Sequence, residues 1–191
     1  KNSPQNESTP FNPRSVYGIS KLAAFHLARN YREHHKLFVA AGILYNHESP
    51  RRGHQFVTRK ISATVAKIHF GLADRLELGN IEALRDWGYA PDYVPAMHAM
   101  LQQDKPEDFV VSTGLLHTVE DFLVEAFSVI GLKYEPYTHI NPDHFRPGET
   151  ISLCGDSSKA QKLLNWKPTM SFKQLVKEMV LADIDRLKET Q

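Results

Sequence analysis

A long helical stretch followed at once by a short apolar run most narrows the folds open to this chain. Helical spacing runs from Arg14 to about His35, with Tyr17, Lys21, Ala24, Phe25, Ala28 and Tyr31 on one face and Ser15 placed as N-cap. Leu37 to Tyr45 is continuously apolar around Val39, Ile43 and Leu44, and too short for a typical helix. It reads as a strand buried on both faces, as in a parallel sheet. Helix, short loop and buried strand make half of an α/β unit. No strand candidate lies upstream, where Lys1 to Pro13 is rich in Ser, Asn and Pro and reads as loop. With Lys rather than Met at position 1, the expectation is a chain that begins inside a longer one.

Asn46 to Gln55 is polar, rich in Pro, Gly, Arg and His, and follows directly on that strand. Ligands of open α/β sheets collect outside the carboxyl ends of strands, so this expected loop is the best-placed site candidate. Beyond it the chain predicts a helix over Phe56 to Phe70, a strand over Arg75 to Leu78, and a helix from about Pro91 to Gln103. Pro95 in that helix removes one donor. A buried strand is expected over Phe109 to Ser112, and a helix from Thr118, the N-cap with Asp121 in its first turn, to Ile130. Ser157 to Leu164 and Ser171 to Leu187 complete the helices. Strands and helices do not strictly alternate after Phe56, which suggests a smaller appended domain, dividing the chain into residues 1–55 and 56–191.

The 23 Lys+Arg and 22 Asp+Glu nearly cancel and form no long run, so neither nucleic acid nor a membrane surface is suggested as partner. The apolar runs are far too short to span a bilayer, and 41% hydrophobic content is ample for a core. One cysteine, Cys154, permits no internal disulfide, which fits a reducing cytoplasm. The ten His include no paired metal-ligand spacing, so no metal is expected. Neither Gly-rich phosphate-loop pattern occurs, and Ser20 and Ser49 lack a hydrolase elbow.

Tyr17 precedes Lys21 by four residues, which on a helix puts both on one face. A cation there favours phenolate and moves a tyrosine from about 10 toward the range of a working base. Arg51, Arg52, Arg59, Lys60, Arg85 and Arg146 sit in or beside expected turns. Arginine grips phosphate with two nitrogens, so a convergent set suits a pyrophosphate; surface ion pairing is the plainer role for each taken singly. Asn46 at the strand end offers an amide to phosphate or sugar hydroxyls, or to its own turn.

The run Gly42-Ile43-Leu44-Tyr45 into Asn46-His47-Glu48-Ser49-Pro50-Arg51-Arg52-Gly53 resembles the GDP-mannose 4,6-dehydratases, within the extended short-chain dehydrogenase/reductases. Phe56-Val57-Thr58-Arg59-Lys60, Leu78-Gly79-Asn80, Arg85-Asp86-Trp87-Gly88-Tyr89-Ala90, Phe145-Arg146-Pro147-Gly148-Glu149 and Asn165-Trp166-Lys167-Pro168 extend the resemblance over essentially the whole chain. It implies an α/β fold: the C-terminal part of a Rossmann-like doubly wound parallel sheet, plus a smaller mixed α/β substrate-binding domain. It also implies NADP-dependent dehydration of GDP-mannose to GDP-4-keto-6-deoxymannose, the first step toward GDP-fucose, by a homo-oligomer. Tyr17 would take the proton of the sugar 4-hydroxyl, and Lys21 would assist it and hold the nicotinamide ribose. His47 and Arg52, with Tyr17 and Lys21, would contact NADP, while Asn46, Lys60, Arg85, Arg146 and Glu149 would line the GDP-sugar site.

The family carries its Gly-rich turn and an active-site Thr and Glu ahead of the Tyr-x-x-x-Lys pair, and this sequence does not contain them. Smaller departures are Val16, Pro95 and Gly148. The expectation is therefore a chain inactive alone, with an uncovered sheet edge and helix face that favour aggregation or molten behaviour. Two alternatives stand beside it: a non-catalytic GDP-sugar-binding or assembly module, and a related nucleotide-sugar dehydratase or epimerase.

Overall fold

The computed structural model describes residues 3–145 and 152–189. Helix α1 (Val16–His34) begins where Ser15 accepts a hydrogen bond from the Gly18 amide, as its extended backbone and hydroxyl require of an N-cap. Short strands β1 (Gly42–Leu44) and β2 (Asn46–Glu48) follow, separated only by Tyr45. Then come α2 (Val57–His69), β3 (Leu76–Leu78), β4 (Leu84–Arg85), β5 (Trp87–Tyr89) and α3 (Ala90–Met100). The remainder is β6 (Phe109–Val111), β7 (His117–Thr118), α4 (Val119–Val129), β8 (Thr138–Ile140), a 3₁₀ turn (Pro142–His144), α5 (Ser158–Leu164) and α6 (Phe172–Lys188). Both α4 and α6 open on capping boxes, Thr118 with Asp121 and Ser171 with Gln174.

The strands pair β1–β6, β2–β5 and β3–β8 in parallel and β4–β7 antiparallel. Parallel partners come from distant parts of the sequence because each needs a crossover between them. The architecture is mixed α/β. Helices α2, α4 and α6 pack on one another around Ile61, Val65, Phe122, Phe127, Leu175 and Met179, with Trp87 from β5 and Leu76 and Leu78 from β3 in the same cluster. A second cluster joins Tyr93, Ala96 and Met100 of α3 to Phe109 and Val111 of β6, Ala160 and Leu164 of α5, and Trp166. Each large apolar side chain buried in this way stabilises the fold by about 1.5–3 kcal/mol.

Asp86, the single residue between β4 and β5, joins these parts. It is fully buried, and its carboxylate accepts from the amide (2.9 Å) and hydroxyl (2.6 Å) of Thr113, the Gly114 amide (3.0 Å) and the Gly155 amide (3.2 Å). Four donors replace the water that a buried carboxylate loses.

Three expectations are corrected. Leu37 to Tyr45 is not one strand buried on both faces: only Gly42–Leu44 is strand and none of it is buried, while Leu37 and Phe38 are 51% and 43% exposed. Burial on both faces needs elements packed above and below the strand, and α1, which leads into it, buries no residue of its own. The expected loop after Tyr45 begins as strand, because Asn46 to Glu48 pairs with Trp87 to Tyr89. Helix α3 ends at Met100 rather than Gln103, since the amides of Leu101 and Gln102 turn back to His98 and Ala99 in tight bonds of 3.1 Å. Pro95 is accommodated inside α3 on its exposed side, where the carbonyl left without a donor meets water.

Helix α1 has no buried residue, and Val16, Tyr17, Ile19 and Leu27 are all more than half exposed. Its tether to the rest is an ion pair: Arg32 reaches both oxygens of Asp108 at 2.7 and 2.9 Å, and Asp108 also accepts from the Ala41 amide. Amide exchange is therefore expected to be fast along α1 and slow in α2, α4 and α6, read by exchange mass spectrometry; equal protection would contradict this packing. Burial pushes the Asp108 carboxyl up, but the hydrogen bonds and charge of Arg32 outweigh it and hold the group below the usual carboxylate range. A carboxyl lowered by folding stabilises above its unfolded value and loses that contribution as pH falls through the folded one. Asp108→Asn should accordingly flatten the acid side of the melting-temperature profile, most visibly below about pH 4.

Candidate functional site

One cleft of about 590 Å³ opens between the end of β2, the start of α2, β3 with its following turn, and β4. Its wall carries Arg52, Lys60 and Arg85 against Glu48 and Asp143, with Asn46, Asn80 and His144 as neutral polar groups and Phe56, Leu78 and Trp87 as apolar ones. Cations thus outnumber carboxylates. The first turn of α2 faces the same space through Phe56, Val57 and Thr58; it has no side-chain cap and no acidic residue. Amide dipoles at such a terminus add to the positive potential.

Strand alternation decides which motif residues reach the cleft. Residues two apart share a face, so Asn46 and Glu48 line it, whereas His47 turns to the other side. The His47 ring lies 5.0 Å from that of Tyr93, and its Nδ1 is 2.8 Å from the Tyr45 carbonyl. A carbonyl can only accept, so Nδ1 carries a proton. Glu48 is 2% exposed and accepts from Thr58 Oγ1 at 2.6 Å, with Arg52 Nε at 3.1 Å. Burial pushes its carboxyl above the ordinary range, against the opposing pull of Thr58, Arg52 and His47.

The loop between β2 and α2 is fixed from beneath. Arg59, on the buried side of α2, donates to the carbonyls of Pro50 (2.8 Å) and Arg52 (3.2 Å). Its other nitrogens grip Asp183 of α6 at 3.0 and 2.6 Å, and Ser62 and Arg186 complete the carboxylate at 2.7 and 2.9 Å. Arg186 reaches the Pro50 carbonyl as well, at 2.7 Å. On the far wall Gly79 has no room for a side chain: a Cβ there would come within 2.5 Å of the His144 carbonyl oxygen, so glycine lets residues 143–145 close over β3.

The structure gathers Asn46, Arg52, Lys60 and Arg85 into this cleft. Tyr17 and Lys21 share a face of α1 as their spacing predicts, with Lys21 Nζ 5.5 Å from the Tyr17 ring centre. They are not part of the cleft wall, and Tyr17 is 71% exposed. Arg146 and Glu149 lie outside the described residues. Arg59, read from sequence as a turn cation, is instead buried within α2 and engaged by Asp183. Glu48, Thr58, Asn80, Asp143 and His144 were given no role from sequence.

Among the described residues no group of three or more His, Cys, Asp or Glu is arranged to hold a metal ion, and no helix is long and apolar enough to cross a membrane.

Residues 1–179 match the family model described as GDP-mannose 4,6 dehydratase. The chain is 53% identical over 185 residues to GDP-mannose 4,6 dehydratase 2 of Arabidopsis thaliana, covering 97% of this chain and 50% of that protein. It is 48% identical over 202 residues to the Homo sapiens GDP-mannose 4,6 dehydratase, covering 97% and 54%. It therefore spans about half the length of the curated relatives it matches. Among solved structures, RMD from Pseudomonas aeruginosa complexed with NADPH superposes with a TM-score of 0.86 at 22% identity over 96% of this chain and 61% of that one. A dTDP-glucose 4,6-dehydratase from Bacillus anthracis in complex with NAD gives 0.83 at 20% identity, over 99% and 58%. At these identities the likeness is one of fold.

The Arg59–Asp183 pair makes a stability prediction. Arg59→Ala or Asp183→Ala leaves a buried partner uncompensated and should cost about 3–5 kcal/mol in denaturant unfolding. Replacing both together by Met and Leu should cost clearly less. Equal losses would contradict a desolvated pair.

Proposed function

Because this chain belongs to the GDP-mannose 4,6-dehydratase family, we propose that it forms the nucleotide-sugar side of a dehydratase acting on GDP-mannose. The observation that carries the reading is the convergence of Asn46, Arg52, Lys60 and Arg85 on one cleft beside the uncapped start of α2. A diphosphate needs fixed donors and positive potential, and this wall offers both. Trp87 and Phe56 give the cleft apolar surface for a base or sugar face.

The net reaction is GDP-mannose to GDP-4-keto-6-deoxymannose plus water, with no net change of redox state. A nicotinamide dinucleotide, NADP in this reading, would supply the hydride chemistry, with the hydride removed from C4 restored at C6 so that no net oxidation results. Tyr17, beside Lys21, removes the proton of the 4-hydroxyl. The ketone so formed acidifies the hydrogen on C5, and loss of that proton allows hydroxide to leave C6 as water. His47 and the exposed ends of Tyr17 and Lys21 have the polar chemistry to meet the cofactor's ribose and amide. His47 points away from the Asn46 face of β2, which suits a cofactor and a sugar nucleotide approaching from different sides. The setting is proposed to be the cytoplasm, early in the making of GDP-deoxysugars.

That Tyr17 does not line the cleft favours a second reading for the chain by itself: a module that holds GDP-sugar without turning it over. One experiment separates the two. Incubation with GDP-mannose and NADP is expected to give no 4-keto-6-deoxy product from this chain alone, while calorimetry shows GDP-mannose binding that weakens about tenfold in Arg85→Ala. Turnover that is lost in Tyr17→Phe would replace the module reading by a self-sufficient enzyme. Absence of GDP-mannose binding would remove the cleft assignment itself.

A further inference from the structure

Glu48 is the most deeply buried charged group of the cleft wall, and no step above uses it. Its chemistry is nevertheless specific. One carboxylate oxygen accepts from the Thr58 hydroxyl (2.6 Å) and stands 3.1 Å from the Arg52 Nε as an ion pair, although the buried Nε–H itself makes no hydrogen bond. The Arg52 guanidinium carbon stands over the Phe56 ring, 3.5 Å from its centre. Its main chain is tied on both sides, the amide to the Ser49 carbonyl at 2.9 Å and the carbonyl to Arg59 at 3.2 Å. Its backbone is thus held by hydrogen bonds and its side chain by the Phe56 ring and the Glu48 charge, and no hydrogen bond to another described residue engages its terminal nitrogens. Two parallel N–H groups in a fixed plane match two oxygens of a phosphate, a geometry that a lysine cannot offer.

We propose that Glu48 is a positioning residue, holding the Arg52 guanidinium as a rigid two-nitrogen fork for a nucleotide phosphate. This rests on the reading of the cleft as a nucleotide site. The phosphate belongs either to the diphosphate of the GDP-sugar or to the dinucleotide, and the chemistry of capture is the same for both. A free arginine at the same place would lose side-chain entropy on binding; one fixed in advance does not. The carboxylate is suited to this work only while ionised. The groups that face it are Thr58 of α2, Arg52 of the loop, neighbouring His47 on β2, and Tyr93 of α3, whose phenol Glu48 helps to push up. Since burial raises the Glu48 carboxyl, release of Arg52 begins at milder acidity than an exposed glutamate would allow.

The test is calorimetry of the 191-residue chain with GDP-mannose and, separately, with NADP, on the unsubstituted protein, Glu48→Gln, Arg52→Gln and the double variant. The ligand that uses Arg52 should bind about tenfold more weakly in each single variant, and the double variant should be no weaker than Arg52→Gln alone. The other ligand should be unaffected, which identifies the source of the phosphate. Glu48→Gln within twofold of the unsubstituted chain, or additive losses in the double variant, overturns the proposal. Should Glu48→Gln not fold, the comparison is between unsubstituted chain and Arg52→Gln from pH 7.5 to 5. Affinity should fall more steeply in the unsubstituted chain, and equal slopes overturn the proposal. Failure of the unsubstituted chain to bind either ligand overturns the cleft reading and this inference with it, an outcome distinct from binding that ignores Glu48.

Discussion

The buried pair between Arg59 and Asp183 is the interaction on which the rest of the site depends. A bidentate ion pair out of water is a weak source of net stability, because desolvation of both charges offsets most of their attraction. Here it is satisfied on every side: Arg59 and Arg186 share one oxygen of Asp183, and Arg59 and Ser62 share the other. What the pair supplies is location. It joins α2 to α6, and the remaining guanidinium nitrogen of Arg59 fixes the Pro50 and Arg52 carbonyls. A loop of eight residues between β2 and α2 has no ladder of its own, so these bonds stand in for one. The same anchoring sets where the Arg52 side chain starts, and Glu48 then sets where it ends.

Much of the fold was legible because its cues are local. Ser15, Thr118 and Ser171 each begin a helix by accepting an amide hydrogen, and each was readable from a hydroxyl ahead of a periodic run. Periodicity likewise gave α2 and α4 to within about two residues. The errors share a cause. Whether Leu37 to Tyr45 is buried, and whether Asn46 to Glu48 is strand or loop, depends on partners dozens of residues away, at Phe109 to Val111 and Trp87 to Tyr89. Parallel pairing leaves no short-range signature comparable to a cap or a hairpin turn.

The site shows the same division. Asn46, Arg52, Lys60 and Arg85 were readable as polar groups at strand and helix ends, and they do share a wall. Arg59 carries the same charge in nearly the same segment, yet it faces inward. Helical phase separates it from Lys60, a rotation of about 100° that no count of arginines detects. Glu48 was hidden for the opposite reason: its role lies in what it touches, Thr58 ten residues on and Arg52 four residues on, rather than in any chemistry of its own.

In the proposed reading, a dehydratase that includes this frame would hold the Tyr17 hydroxyl at a sugar whose nucleotide is gripped elsewhere. Helix α1 cannot provide that registry by packing, since none of its residues is buried. The route instead runs through polar contacts. Arg32 near the end of α1 holds Asp108, and Asp108 holds the Ala41 amide at the entry to β1. From β1, anchored to β6, only Tyr45 intervenes before Asn46 at the cleft wall. Three strand residues and one bidentate ion pair thus connect the candidate base to the candidate nucleotide site. Strand backbone is stiff along its length, whereas an ion pair at a half-buried position yields more readily. The compliance in this path is therefore concentrated at Arg32–Asp108, and the placement of Tyr17 depends on whatever contacts the exposed face of α1 makes in addition.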